Sequence, residues 1–260
     1  MQQTTIASSA RAPRPRLVTS IATNAEELRE AQRLRYRVFI EGMGLTALAR
    51  PDALDCDEFD EHCDHLLVRD AVTLEVVGTY RVLAPAGARR LGRFYSEGEF
   101  DMGRLNPLRG RIIEAGRACI HPDYRGGSVI MLLWAALAEY MDRQGCDYLA
   151  GCASISVADG GHNAVAVFQQ LRETRMGPAE YRVMPHLPFP HAKIAPAATA
   201  SVPPLLKGYM RSGAWICGEP AWDPDFDSAD LFLLMPLANL DARYARHYGV
   251  DGTMEMAIAA

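Results

Sequence analysis

The middle of the chain, residues 111–152, constrains the fold more than any other segment. An apolar stretch typical of a strand, residues 111–120, leads into a pair of glycines, Gly126 and Gly127. Residues 129–141 then repeat apolar side chains on one helical face, and a second apolar strand follows at 147–152. A strand, a helix and a strand in this order predict two parallel neighbours joined by a helical crossover. The sequence therefore predicts a domain of the α/β (α+β) class.

The flanking segments predict further elements of both kinds. Asn24 followed by Glu27 is typical of a helix start, and the apolar period after it predicts a helix over 24–40. Strand patterns occur at 65–69, 75–83 and 230–235, and helical patterns at 162–173 and 238–247. Residues 185–204 are rich in Pro and Ala and predict a long loop.

The domain boundaries follow from composition. At 260 residues, 49% of them apolar, the chain can bury one large core. The first twenty residues are rich in Ser, Ala, Pro and Arg and lack the apolar core of a signal peptide. We therefore expect a flexible tail over residues 1–23, a domain over 24–250 and a C-terminal tail over 251–260. Arg11, Arg14 and Arg16 favour a solvated arm, with contact to anionic lipid as the alternative.

Charge and cysteine usage narrow the functional classes. The net charge of -5 gives no basic field, so nucleic-acid binding is not expected. The six cysteines are scattered without a CxxC pair, which favours reduced thiols in the cytoplasm. Cys56, His62, Cys63 and His65 match no zinc-ligand spacing, and no metal site is expected. The apolar run at 129–138 is far shorter than the roughly 20 residues of a membrane span.

Two charged residues interrupt the strand at 111–120. Glu114 and Arg117 are costly inside a buried strand unless they are paired or functional. By strict alternation they point to opposite faces, so they share a site only across a β-bulge. Without a bulge, Glu114 satisfies a buried polar group. The glycines that follow precede a helix N-terminus, which presents free N–H groups to a phosphate but is also common to many α/β domains.

The loop at 52–61 carries a run of acidic residues. Its carboxylates could attract a cationic substrate, or they could form an ordinary solvated charge run. These residues are Asp55, Asp57, Glu58, Asp60 and Glu61.

Several short blocks, in one order, resemble the ornithine N-α-acyltransferase family over residues 24–249. The blocks are Leu34-Arg35-Tyr-Arg-Val-Phe39, Asp57…Phe59-Asp60…His65-Leu-Leu-Val68, Gly78-Thr-Tyr-Arg-Val-Leu83, Phe94-Tyr-Ser-Glu97…Glu99-Phe100, Glu114-x-Gly-Arg117-x-Cys119, Leu132-Leu-Trp134, Leu205-Leu-Lys-Gly-Tyr209…Gly213-Ala214 and Asp225-Phe-Asp227…Asp230.

The resemblance implies a GNAT-like fold related to acyl-homoserine-lactone synthases, with a mixed, mostly antiparallel central sheet and flanking helices. Its two parallel strands, here 111–120 and 147–152, would splay apart to admit a pantetheine arm. The usual GNAT phosphate loop reads Arg/Gln-x-x-Gly-x-Gly/Ala, whereas this chain has Arg125-Gly126-Gly127-Ser128. This departure fits a carrier-protein donor, which brings one pantetheine phosphate instead of coenzyme A.

The family resemblance also implies a reaction. An acyl or 3-hydroxyacyl chain would move from acyl carrier protein to the α-amine of L-ornithine, the first step of ornithine-lipid synthesis. Glu114 would act as base, and Arg117 would stabilise the donor or the substrate carboxylate. Arg35 is the other candidate for that carboxylate, because guanidinium binds it bidentately.

Further site residues follow from the same resemblance. Asp57 and Asp60 would hold the side-chain ammonium of ornithine. The backbone N–H groups around Cys119 and Ile120 would polarise the thioester carbonyl. The donor arm would contact Cys119, Ile120, Arg125, Gly126, Gly127 and Ser128.

The implied partners are acyl carrier protein and L-ornithine, and the enzyme itself needs no cofactor because the donor brings 4′-phosphopantetheine. The carrier protein is acidic, so a basic rim is expected. Its candidates are Arg89, Arg90, Arg93, Arg104, Arg109 and Arg125. Three alternatives stay open: transfer to glycine or another amine, an acyl-homoserine-lactone-type signal synthase, and a non-catalytic acyl-binding protein. A cytoplasmic location is expected, with peripheral contact to the inner face of the membrane left open.

Overall fold

The computed structural model describes residues 16–45 and 48–239. The strands are β1 (Leu17–Ile21), β2 (Asp64–Asp70), β3 (Val76–Leu83), β4 (Phe100–Asp101), β5 (Ile112–Ile120), β6 (Tyr148–Ser156), β7 (Met184–Pro185), β8 (Trp215–Ile216), β9 (Ala221–Asp223) and β10 (Ser228–Pro236). The α-helices are α1 (Ala25–Arg35), α2 (Pro85–Leu91), α3 (Ser128–Gln144), α4 (His162–Arg175) and α5 (Pro204–Arg211).

One large sheet organises the domain. Its strand order is β1-β2-β3-β5-β6-β10-β8, with β9 also pairing with β10. The β5/β6 ladder is parallel, and the other ladders of this sheet are antiparallel. Helix α3 connects the two parallel strands, as the strand–helix–strand pattern predicts. The predicted mixed, mostly antiparallel sheet with flanking helices is confirmed.

Helix α1 covers one face of the sheet. The side chain of Asn24 caps it by accepting hydrogen bonds from the N–H groups of Glu26 and Glu27, both at 3.0 Å. The helix continues as a π-helix, Tyr36–Glu41, so the predicted helical segment at 24–40 is confirmed. Ala31 and Leu34 pack on side chains of β2, β3 and β5.

Helix α3 covers the opposite face. Its buried residues, Val129, Leu133 and Leu137, pack in the main core against Leu66 and Val68 of β2. Since side chains of a strand alternate between faces, and α1 contacts Leu67, the two helices lie on opposite sides of β2. Burial of both helical faces fixes the order and register of the strands between them.

The predicted N-terminal tail is wrong for residues 17–21. These residues form β1, which runs antiparallel to β2 with Leu17 opposite Asp70 and Ile21 opposite Leu66. The physical reason is local composition, because Leu-Val-Thr-Ser-Ile is rich in β-branched residues and finds an unpaired edge of β2. Residues 1–15 and the predicted C-terminal tail at 251–260 lie outside the described residues.

Other differences concern short elements. The sequence patterns did not predict α2 and α5, and most of the predicted helix at 238–247 lies outside the described residues. Among residues 16–45 and 48–239, the helices are all too short or too polar to span a bilayer.

Candidate active site

The two parallel strands part in the middle of the sheet and leave a cleft. β5 pairs with β6 only over residues 112–114 and 148–150, although both strands continue beyond that point. Where they part, a Cβ on Gly151 would lie 2.3 Å from the carbonyl oxygen of Ala115, so a larger residue would force the strands further apart. A cavity of about 260 Å³ opens between the strands, with Ala115 and Gly151 in its wall.

A β-bulge brings Glu114 and Arg117 to the same cavity. Between Cys119 and Gly116 the register of β5 against β3 shifts by one residue. Arg117 lies at this shift with a φ of 52°, in the left-handed region that a non-glycine residue seldom adopts. Both Glu114 and Arg117 line the cavity. The bulge that sequence alternation required for a shared site is therefore present.

Glu114 is buried and held by three hydrogen-bond donors. Its Oε1 accepts from the N–H of Ser96 at 2.8 Å and from the hydroxyl of Ser96 at 2.5 Å, and its Oε2 accepts from the N–H of Tyr95 at 2.5 Å. Burial raises the pKa of Glu114, while these donors and the charge of Arg81 oppose the rise. A carboxylate that is held in place, has a raised pKa and lines a cavity is suited to take a proton from an amine bound there.

Three further acidic residues line the same cavity. They are Glu99, Asp223 on β9 and Asp230 on β10. Burial raises the pKa of Asp230, and burial together with the carboxylates of Asp230 and Asp223 raises the pKa of Glu99 to about 8. The hydroxyl of Ser96 lies 3.2 Å from the sulfur of Cys152, so these groups connect to Glu114 through Ser96 and Cys152.

The acidic loop packs against three arginines of the site. Arg35 is 0% exposed, donates to Asp55 at 2.9 Å, and holds both oxygens of Asp60 at 2.9 and 2.7 Å. Burial alone would raise the pKa of Asp60, but the hydrogen bonds and charges of Arg35, together with Arg81, hold the pKa well below its usual range. Gln32 donates a further hydrogen bond to Asp60 at 2.9 Å.

Two of the predicted substrate contacts are engaged within the protein. Arg35 and Asp60 are buried and pair with each other at 2.7 Å. A buried charge needs an opposite charge, and here the protein supplies it. We assign both residues to holding the acidic loop against α1 and β3.

Asp57 stands between two arginines. Its carboxylate accepts from Arg81 at 2.6 Å and lies 3.6 Å from Arg117. The guanidinium of Arg117 lies over the rings of Tyr95 and Phe226, at 5.4 and 4.9 Å from their centres. The ion pairs of Arg117, at 3.5 Å to Asp55 and 3.6 Å to Asp57, are longer than the 2.6 Å pair of Arg81 with Asp57. Arg117 therefore keeps capacity for an anionic ligand, whereas the charge of Asp57 is already balanced by Arg81.

The predicted carbonyl-binding backbone divides into two parts. The N–H of His121 donates to Val77 on β3 at 2.8 Å. Because alternate N–H groups of a strand point to opposite edges, the N–H of Cys119 also faces β3, and those of Ala118 and Ile120 face the open edge. Of the two predicted residues, Ile120 thus has its N–H at the open edge of β5, as Ala118 does, whereas the N–H of Cys119 faces β3.

The glycine turn ends at the N-terminus of α3. Gly127 is the N-cap residue with a φ of 95°, and no side chain caps the helix. Arg125, Gly126 and Ser128 are exposed beside it. The predicted segment Arg125–Ser128 therefore presents free helix N–H groups just after β5, the strand that borders the cleft.

The predicted basic rim is partly engaged in local contacts. Arg93 pairs with Glu58, Arg109 pairs with Glu97 at 2.6 Å, and Arg104 donates to a backbone oxygen at 2.7 Å. Arg89, Arg90 and Arg125 are exposed. A carrier-protein surface at this rim stays a prediction.

Sequence reasoning missed the acids opposite Glu114. Asp230 interrupts the apolar run of β10, as Glu114 interrupts β5, and that pattern was a usable signal. Glu99 lies in a short irregular segment next to Glu97 and carries no such signal.

Comparison with known families supports the sequence blocks. The model of the family "Acetyltransferase (GNAT) domain" matches residues 34–135. The chain is 36% identical over 255 residues to an L-ornithine N(alpha)-acyltransferase of Rhizobium meliloti (strain 1021), covering 90% of this chain and 85% of that protein. It is 35% identical over 246 residues to an L-ornithine N(alpha)-acyltransferase of Rhodobacter capsulatus, covering 88% of this chain and 93% of that protein.

Solved structures share the fold at low identity. The acyl-homoserine lactone synthase BjaI with MTA matches with a TM-score of 0.54 and 16% identity, over 90% of this chain and 89% of that chain. The synthase LasI matches with a TM-score of 0.53 and 16% identity, over 93% and 98%. FeeM, an N-acyl amino acid synthase from uncultured soil microbes, matches with a TM-score of 0.52 and 12% identity, over 86% and 92%.

Proposed function

The chain belongs to the L-ornithine N(alpha)-acyltransferase family, and on this premise we propose that it transfers an acyl chain from acyl carrier protein to the α-amine of L-ornithine. It is an acyltransferase of the GNAT type. The product would be a lyso-ornithine lipid, which makes the reaction the first step of ornithine-lipid synthesis. The observation that carries the proposal is the buried Glu114 at the point where β5 and β6 part.

Glu114 is the general base of this reaction. The acceptor amine attacks the thioester carbonyl, so a C–N bond forms, the C–S bond breaks, and the pantetheine leaves as a thiolate that takes up a proton. Glu114 accepts the proton that the amine loses, directly or through a water molecule. Its fixed position supports this role, because Tyr95 and Ser96 hold both carboxylate oxygens at the cavity wall.

The carbonyl oxygen develops negative charge during this attack, and backbone N–H groups stabilise it. The N–H groups of Ala118 and Ile120 at the open edge of β5 are the donors in this proposal, and they replace the predicted pair of Cys119 and Ile120. Cys119 itself is buried against α1, and burial raises the pKa of its thiol, so it is not a nucleophile.

The donor arm lies in the cleft between the parallel strands. Its single phosphate binds the free N–H groups around Gly127 and Ser128, with the positive charge of Arg125 beside them. Arg117 binds the α-carboxylate of the acceptor, because its guanidinium faces the cavity next to Glu114 and is held by two aromatic rings.

Lipid mass spectrometry tests the proposal. The chain is expressed in a host that makes no ornithine lipid, alongside the Glu114→Gln variant. A mono-acylated ornithine lipid made by the parent chain and lost in the variant is the expected result. Acylated glycine, another acylated amine or an acyl lactone in place of acyl-ornithine would refute the proposed acceptor.

Arg125→Glu is expected to raise the KM for acyl carrier protein about 10-fold and to leave kcat unchanged, because it reverses a charge beside the proposed phosphate site. Steady-state rates at varied carrier protein and salt measure this effect. Arg172→Glu on α4 is the matched control, since Arg172 is also exposed but far along the chain from the phosphate segment. Equal KM values for the two variants would contradict a donor site at Arg125.

A further inference from the structure

Part of the cavity wall carries acidic groups that have no basic partner among the described residues. Glu99, Asp223 and Asp230 line it, and among the described residues none of the three forms an ion pair with an arginine, lysine or histidine. The acids of the loop differ in this respect, because Asp57 and Asp60 are each paired with arginines. This part of the cavity wall therefore offers acidic groups to which a ligand can bring the positive charge.

Glu99 and Asp230 present buried carboxylate oxygens beside the cavity. The Oε2 atom of Glu99 is fully buried and has no hydrogen-bond partner. Asp230 is only 3% exposed, and the hydroxyls of Ser154 and Ser228 fix its carboxylate at 3.1 and 2.6 Å. A buried, unpartnered carboxylate oxygen costs free energy unless a ligand satisfies it, so this group is poised to accept a hydrogen bond.

We propose that Glu99 and Asp230, with Asp223 beside them, bind the side-chain ammonium of the acceptor amino acid and thereby select a cationic acceptor. This inference rests on the proposed acyl transfer to ornithine and names the residues that choose the acceptor. It replaces Asp57 and Asp60, whose charges are balanced by arginines, in that role.

The subsite lies within reach of the proposed base. Ser96 donates to Glu114 at 2.5 Å and lies 3.2 Å from the sulfur of Cys152. Cys152 in turn lies within 4.8 Å of Glu99 and Asp230 by their nearest ligand atoms. A short diamine acceptor can thus place its α-amine at Glu114 and extend its side chain along Ser96 and Cys152 towards Glu99.

The electrostatics favour a cationic ligand. Burial and the neighbouring carboxylates raise the pKa of Glu99 to about 8, so the empty site holds a proton near neutral pH. An ammonium placed between Glu99 and Asp230 would supply the missing positive charge and release that proton. The same charge penalises an acceptor with an apolar side chain, which would leave the carboxylates desolvated and unpaired.

A metal ion is the competing occupant. Glu99, Cys152 and Asp230 supply three potential ligand atoms. Burial raises the pKa of the Cys152 thiol well above its usual value, and a protonated thiol is a poor metal ligand. The carboxylates suit an ammonium, which donates hydrogen bonds to both without requiring a thiolate.

The test compares two acceptors that differ only at the end of the side chain, L-ornithine and L-norvaline, in the parent chain and in Glu99→Gln. Glutamine keeps the size of the side chain and removes its charge. We expect kcat/KM for ornithine to fall about 10- to 100-fold, while kcat/KM for norvaline stays the same or rises. Asp223→Asn should lower the ratio of kcat/KM for ornithine to kcat/KM for norvaline as well. Because it is a second, independent variant, a folding defect in Glu99→Gln alone would not produce both results. Glu180→Gln, an exposed acid, is the control that leaves both values unchanged.

Three results would overturn the subsite. If the ratio of kcat/KM for ornithine to kcat/KM for norvaline is unchanged in both variants, these acids do not bind the side chain of the acceptor. Equal losses for both acceptors would give Glu99 a role in positioning Glu114 instead. A stoichiometric metal in the purified parent chain, lost in Glu99→Gln, would assign the site to an ion. Failure of the proposed function looks different, because the parent chain itself would then not acylate ornithine.

Discussion

Replacing Glu114 by glutamine is expected to lower kcat for amine acylation by about 10²- to 10⁴-fold, the usual contribution of a positioned general base. Glutamine keeps the shape of the side chain but cannot take the amine proton. In the parent chain, activity should fall as pH drops through the raised pKa of Glu114, because the carboxylate is then protonated. That acid limb should lie above the ordinary glutamate value of about 4.3 and should be absent from the variant.

Glu97→Gln is the matched control for this substitution. Glu97 lies in the short turn that carries Tyr95 and Ser96, pairs with Arg109 at 2.6 Å and is not among the residues that line the cavity. It should keep kcat within about a factor of 3, because a partly exposed ion pair contributes little. Thermal unfolding of both variants checks for lost structure, since glutamine leaves one donor of Tyr95 or Ser96 without an acceptor. A Glu114→Gln enzyme with near-normal kcat and an unchanged acid limb would remove Glu114 from the chemistry.

Local pattern was sufficient to predict the centre of the fold. The strand at 111–120, the helix at 129–141 and the strand at 147–152 all exist, and their order alone implied the parallel pair. It failed at β1, where five residues after a polar segment pair with β2. Edge strands of this kind depend on an unpaired partner strand far away in sequence, and no local period reveals that partner.

The site was harder to predict, because its charges depend on which residues meet. The bulge at Arg117 could be stated only as a condition, since alternation along one strand does not show where the register shifts. The acidic loop carried the more obvious charge, yet its path brings Asp60 onto Arg35 and Asp57 onto Arg81. Asp230, alone in an apolar strand, is buried and has no ion pair with a basic residue among those that the structure describes.

The site therefore contains two acidic groups with different tasks. The carboxylates of the loop form ion pairs with Arg35, Arg81 and Arg117, which ties the loop to α1, β3 and β5. The carboxylates of Glu99, Asp223 and Asp230 have no such partner in the part of the chain that the structure describes, and they line the cavity. Arg117 pairs with Asp55 and Asp57 of the loop and also lines the cavity, so the loop contacts a side chain that lies next to Glu114.

The ion pair that anchors the loop leads to the second large effect, on stability. Arg35→Met is expected to lower the free energy of unfolding by about 3–5 kcal/mol, because it leaves the buried carboxylate of Asp60 without its bidentate partner. Urea unfolding of the full chain measures this value. Arg37→Met, two residues further along the same helical segment, is the control. The ion pair of Arg37 with Glu75 joins side chains that are 51% and 47% exposed, so its loss should cost less than about 1 kcal/mol.

Adding Asp60→Asn to Arg35→Met separates the two contributions to that cost. The double variant should recover part of the lost stability, because the buried carboxylate that has lost Arg35 is replaced by a neutral amide. Recovery of stability without recovery of kcat would show that the pair positions Arg117 as well as holding the fold. If Arg35→Met is as stable as Arg37→Met, the loop is held by other contacts, and Arg35 returns as a candidate for binding the acceptor carboxylate.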